Sequence, residues 1–156
     1  MSILSASREC PDFAVCVFGH AEDAAFAALS CDVRLMGYVS DEQTLSELYA
    51  AADVFVLPSQ ADNLPNTLLE SLASGTPCVT SDVGGCPDVV RDGETGAVVV
   101  ATHAQGFAQA IGRVLLDAEG RARMSSNCRQ VAIKDYSLEV QATRMSALYA
   151  GLARGV

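Results

Sequence analysis

Basic residues are scarce in this chain. Nine Arg and a single Lys, Lys134, stand against nineteen acids, for a net charge of −9. No cluster of Lys or Arg exists. That excludes the electrostatic footprint of a nucleic-acid binder and a polybasic membrane patch. Long apolar runs are also absent. The longest are strand-length, such as Val54–Leu57, too short to span a bilayer as a helix. The opening residues, MSILSASREC, lack the basic start and apolar stretch of a signal peptide, so a cytoplasmic chain is expected. The six cysteines at positions 10, 16, 31, 78, 86 and 128 form no CxxC, and the two histidines, His20 and His103, are far apart. Zinc-site spacing is therefore missing, and no metal is expected. Cys16 and Cys78 fall inside strand-like runs and read as small buried hydrophobes. Neither GxGxxG nor GxxxxGK[ST] occurs, which excludes a dinucleotide fingerprint and a P-loop.

What is present is enough apolar material for one core: 156 residues, half of them hydrophobic. Short apolar runs alternate with helical patterns. Strands are expected at Phe13–Gly19, Val33–Gly37, Val54–Leu57, Cys78–Ser81 and Ala97–Val100. A short Ala-rich helix is expected at Glu22–Leu29. Ser40 and Gln43, three apart, read as a capping box opening a helix through Ala51, with Leu45, Leu48 and Tyr49 on its apolar face. A helix over Asn66–Ser74 closes on Gly75, and a helical turn is expected near Asp88–Arg91. The remainder reads as helices Ala104–Leu116, Ala118–Ile133 and Leu138–Leu152, the last capped by Ser137. Leu138, Met145, Leu148, Tyr149 and Leu152 recur at helical spacing and are expected in the core. This alternation predicts an α/β fold, a Rossmann-like parallel sheet with helices on both faces. In such sheets ligands bind at the carboxyl ends of the strands.

Those ends are loops rich in Gly, Pro and polar residues. The densest runs from Pro58 to Glu70. Asp62 lies in the loop, and Glu70 follows eight residues later, within the helix that starts near Asn66. Free N–H groups at a helix start bind phosphate, and a nearby carboxylate accepts hydrogen bonds from the vicinal hydroxyls of a ribose. Together they suggest a nucleotide. On spacing alone, Asn66 reads equally as a plain cap and Glu70 as an early acid favoured by the helix dipole. Gly84 and Gly85 after a strand let backbone approach an anion closely, or form an ordinary turn. His20 follows the first strand and is a candidate phosphate or sugar contact. Arg34 and Arg91, the nearest bases, read as solvated surface residues, and His103 as structural.

These residues carry a resemblance. Leu57, Pro58 and Ser59 at a strand end come first. The acidic pair Asp62 and Glu70 with seven residues between them follows, then Gly75, Thr76, Pro77 and Val79, then Gly84, Gly85, Pro87 and Asp88, then Asp92, Gly93, Thr95 and Gly96. In combination they resemble the C-terminal, donor-binding domain of retaining glycosyltransferases of family 4, over roughly Phe13 to Val100 with a compatible tail to Tyr149. The resemblance implies one half of a GT-B fold, which pairs two Rossmann-like domains around a cleft. It implies a hexosyltransferase using a UDP- or GDP-sugar as substrate, with no metal and no cofactor. Glu70 matches the acid that holds the donor ribose. Asp62 matches the acid near the reacting sugar, one methylene shorter than the family's Glu. Asn63, Leu64, Asn66 and Thr67 match the segment whose main chain meets sugar and diphosphate, where Pro65 cannot donate. Tyr38 and Val39 match the turn beside the nucleobase.

The resemblance also implies what is missing. Residues 1–12 read as an extension or scar, and 13–156 as a partial nucleotide-sugar-binding domain. The first strand-helix unit, with the family's Arg and Lys that clamp the diphosphate, and the N-terminal acceptor domain have no counterpart. The acceptor domain or a partner chain is an expected partner, and exposed apolar surface invites a homo-oligomer. The chain alone is expected to be inactive, and the missing domain would allow a location at the inner face of the membrane. The alternatives are a non-catalytic, partner-dependent nucleotide-binding half and a UDP-sugar epimerase.

Overall fold

A computed structural model of the chain describes residues 13–19, 26, 29, 31–100 and 103–153. In chain order these form β1 (Ala14–Phe18), β2 (Asp32–Gly37), α1 (Glu42–Ala51), β3 (Phe55–Leu57), α2 (Asn66–Ala73), β4 (Cys78–Ser81), α3 (Cys86–Val89), β5 (Gly96–Val99), α4 (Ala104–Leu116), α5 (Ala118–Tyr136) and α6 (Leu138–Ala153). The expected helix over Glu22–Leu29 lies outside the described residues except at Phe26 and Leu29, as do His20 and residues 1–12.

All strand pairs are parallel. β1 pairs with β2, Ala14 opposite Asp32 through Val17 opposite Leu35. β4 lies between β3 and β5, with Cys78 opposite both Phe55 and Gly96. The two sheets are joined by rings. Phe18 at the end of β1 stacks on Phe55 of β3 at 6.1 Å between centroids, and Tyr49 of α1 meets each of them edge-on at 5.2 Å. Such contacts add to the area they bury.

Side-chain alternation along β4 separates two cores. Cys78 points to a cluster of Leu68 and Leu72 from α2, Cys86 and Val89 from α3, and Cys128 and Val131 from α5. Val79 points the other way, to Ala97 and Val99 of β5 and Phe107, Ala110 and Val114 of α4. Helices therefore cover both faces, as the alternating pattern requires. Fully burying a side chain such as Leu68 is worth about 1.5–3 kcal/mol. Gly75 ends α2 at φ +79°, the left-handed position expected of it. No described helix is long and apolar enough to cross a membrane.

Three expectations are corrected. The Ser40–Gln43 box does not form. Asp41 caps α1 instead, accepting from Thr44 N at 2.7 Å and Thr44 Oγ1 at 2.5 Å, while Gln43 turns to Glu47 at 2.9 Å. A carboxylate is the stronger acceptor, and Thr44's two bonds hold the Asp41 carboxyl below its usual range. Cys16 is exposed rather than buried, because strand alternation puts it on the outer side of β1 with Ala14. The α6 stripe is not core. No residue of α6 is buried, and Leu138, Met145, Leu148, Tyr149 and Leu152 are all exposed. The helix is anchored near its start, by Ser137 and by Arg144 Nη1 donating to the Asp135 carbonyl at 2.9 Å. Periodicity reports an apolar face; it does not report what covers it.

Candidate functional site

The carboxyl end of β3 opens into the loop 58–65, and that of β4 into the loop 82–85. α2 rises from the first loop. Its N-cap position is taken by Pro65, at φ −70° and ψ 124°, and no side chain bonds the helix start. Asn66 is thus the first helical residue and not the cap. The first N–H returned to the chain is that of Leu68, which donates to the Pro65 carbonyl at 3.1 Å. The preceding N–H groups, on Asn66 and Thr67, lie beyond the reach of intrahelical bonding. They carry the positive end of the helix dipole.

Glu70 stands one turn further on, half-buried. Its Oε2 accepts from the phenol of Tyr49 at 3.1 Å. Tyr49 is 1% exposed. Burial, together with the Glu70 charge and hydrogen bond, pushes its phenol well above the usual tyrosine range, so it remains a donor. Tyr49 escaped the sequence reading, which placed it on an apolar face. The available signal was chemical: a buried phenol needs a partner.

The two loops are locked together. Gly85 N donates to the Asn63 carbonyl at 2.6 Å. A Cβ on Gly84, which sits at φ +51°, would collide with the Asp62 carbonyl oxygen, and one on Gly85 would lie 2.5 Å from the Asn63 oxygen. The two glycines make close approach to the loop 62–64, and hold it in place. Asp62, Asn63, Leu64, Asn66, Thr67, Glu70, Gly84 and Gly85 form one group at the sheet's carboxyl edge. Asp62 and Asn63 are exposed within it. Tyr38 and Val39 follow β2, Tyr38 at 84% exposure, and no hydrogen bond ties them to this group. His20 lies outside the described residues.

Neither loop contains Lys or Arg. Arg34 pairs with Asp32 at 2.9 Å on the surface, as expected. Arg91 is not simply solvated: it binds Asp135 at 2.5 Å and Glu94 at 3.4 Å, and the Asp135 bond raises its pKa further. Both charges are committed elsewhere. His103 is structural, its Nδ1 accepting from Gly106 N at 2.9 Å at the start of α4. Burial pushes the thiols of Cys78 and Cys128 up to about 12, which leaves them inert at neutral pH. Among the described residues no cluster of His, Cys, Asp and Glu could hold a metal ion.

Comparison with known proteins identifies the family and the fold. The family described as "Glycosyl transferases group 1" matches residues 2–117. The chain is 36% identical over 107 residues to the lipopolysaccharide core biosynthesis glycosyltransferase LpsE of Rhizobium meliloti, covering 69% of this chain and 31% of LpsE. It is 33% identical over 122 residues to a glycogen synthase of Mycobacterium tuberculosis, covering 78% and 29%. It therefore spans about a third of the length of these curated relatives. Among solved structures, sucrose-phosphate synthase from Thermosynechococcus elongatus superposes with a TM-score of 0.72 at 32% identity, over 80% of this chain and 31% of that one. Anabaena HepE, solved in complex with UDP, superposes with a TM-score of 0.77 over 95% of this chain and 44% of its own, at 20% identity, which speaks for the fold alone. The match over most of the length, on a sheet of this topology, makes this chain a member of the group 1 glycosyltransferases, with the Rossmann-like architecture of one half of a GT-B fold.

Proposed function

We propose that this chain is the nucleotide-sugar donor-binding half of a retaining glycosyltransferase, which transfers a hexosyl group from a UDP- or GDP-sugar to a glycan, lipid or small acceptor. The observation that carries the reading is the Glu70 carboxylate, held by Tyr49 one turn inside a helix whose start has no side-chain cap. Glu70 accepts the ribose hydroxyls. The N–H groups of Asn66 and Thr67 meet the diphosphate. Asp62 meets the sugar near its reacting carbon, with the main chain of Asn63 and Leu64 beside it, and Gly84 and Gly85 keep that loop in register. Tyr38 and Val39 flank the base. The UDP complex of HepE, which shares the fold, supports a uridine nucleotide in such an edge.

No metal or cofactor takes part in this reading. The negative charge that develops on the leaving diphosphate is stabilised by fixed N–H dipoles, which need no reorganisation during the reaction. A leaving phosphate oxygen takes the proton of the acceptor hydroxyl on the face from which it departs, so the configuration at the sugar carbon is retained. The acceptor is held by a second domain, in line with a matching segment that makes up only about a third of each relative, and the chain by itself is inactive in transfer. Calorimetric titration with UDP, GDP and ADP tests the reading. Binding of one nucleotide, lost in Glu70→Ala, is expected and names the base. Equal binding by wild type and variant removes Glu70 from the site.

A further inference from the structure

We propose that Tyr49 is a positioning residue for the donor site: its phenol orients the Glu70 carboxylate so that both vicinal ribose hydroxyls can be accepted at once. This rests on the ribose assignment to Glu70 made above. The two residues are 21 apart in sequence and joined at 3.1 Å. Every other part of Tyr49 is immobilised. Its ring is caught edge-on between Phe18 and Phe55, and its backbone carbonyl accepts from Thr76 Oγ1 at 2.6 Å, a bond buried in the turn after α2. The phenol is thus fixed by β1, α1, β3 and the α2–β4 turn together, independently of the carboxylate it holds. A residue that merely filled this space would be Phe, because burying a hydroxyl is unfavourable unless it is bonded. The bond consumes one of about four acceptor positions on the carboxylate, and leaves enough for two hydroxyls. Without it, Glu70 is free to turn among its rotamers, and binding must order it.

The test is the ratio of affinities for the nucleoside diphosphate identified by titration and for its 2′,3′-dideoxy analogue. Wild type is expected to prefer the ribonucleotide. Tyr49→Phe keeps the three-ring packing and should lower that preference roughly tenfold, with the dideoxy affinity unchanged. Thr76→Val removes the neighbouring buried bond without touching the phenol; it should lower Tm and keep the preference. A second readout needs no variant: the 13Cζ resonance of Tyr49 should move with the ribonucleotide and stay with the dideoxy analogue. A wild-type preference that Tyr49→Phe retains, an equal loss in Thr76→Val, or the same 13Cζ movement with both ligands overturns the positioning role alone. A wild type with no preference overturns the ribose assignment, and the positioning role with it.

Discussion

Two helix starts in this molecule are built in opposite ways. α5 begins under the Asp117 side chain, whose Oδ1 accepts from Gly120 N at 2.8 Å, and it serves the core with Cys128 and Val131. α1 and α4 are capped in the same manner by Asp41 and His103. α2 begins under Pro65, with no side chain to spare for its N–H groups. It packs into the same core as α5 through Leu68 and Leu72, so its buried face is as well supported. The difference teaches where stability was given up. At α5 the donors are satisfied from within the chain, and at α2 they remain available at the edge where two loops and an acid converge.

This comparison can be broken or sharpened by substitution, in decreasing order of effect. Glu70→Ala should weaken nucleotide binding by more than about a hundredfold, since two hydrogen bonds to a charged group are each worth about 1.5–3 kcal/mol. It also strips the buried Tyr49 phenol of its acceptor, so its melting temperature should fall measurably by calorimetry, which Glu70→Gln should largely avoid. Gly84→Ala forces a side chain at φ +51° into the Asp62 carbonyl. It should cost about 2 kcal/mol or more in urea unfolding and displace the loop 62–64. Asp117→Ala should cost about 1 kcal/mol of stability and leave nucleotide affinity unchanged, because that cap faces no ligand. Pro65→Asp would give α2 the cap it lacks. It should raise stability by up to about 1 kcal/mol and reduce diphosphate affinity severalfold, by placing a carboxylate where the phosphate is read to sit. If Pro65→Asp binds nucleotide as well as wild type, the open helix start has no part in the site.

Much of the fold was legible locally. The five strands could be read to within a residue or two, because short apolar runs bounded by Gly, Pro and polar loops leave few alternatives. The edge carrying Asp62, Asn63, Asn66, Glu70, Gly84 and Gly85 could also be read, since parallel connections return each loop to the same end of the sheet. The readings that failed depended on neighbours distant in sequence. α5 and α6 both carry apolar positions at helical spacing, yet only α5 buries any. Cys16 and Cys78 both sit in apolar strands, yet one is exposed and one fully buried. Arg91 looked solvated because its partner, Asp135, lies 44 residues away.

The sequence by itself determined the backbone: alternation of strand and helix, left-handed turns at Gly75 and Gly93, and an acid placed one turn into a helix behind a proline. These follow from forces acting within a few residues, namely steric limits on φ and ψ, side-chain periodicity and the missing proline N–H. The tertiary structure decided which groups meet. It set the Tyr49 phenol on Glu70, pressed Gly84 and Gly85 against the carbonyls of Asp62 and Asn63, and left one face of α6 open. Those outcomes depend on the ring contacts of Phe18 and Phe55 and on the two cores around β4, and no local pattern encodes a contact between residues that only packing brings together.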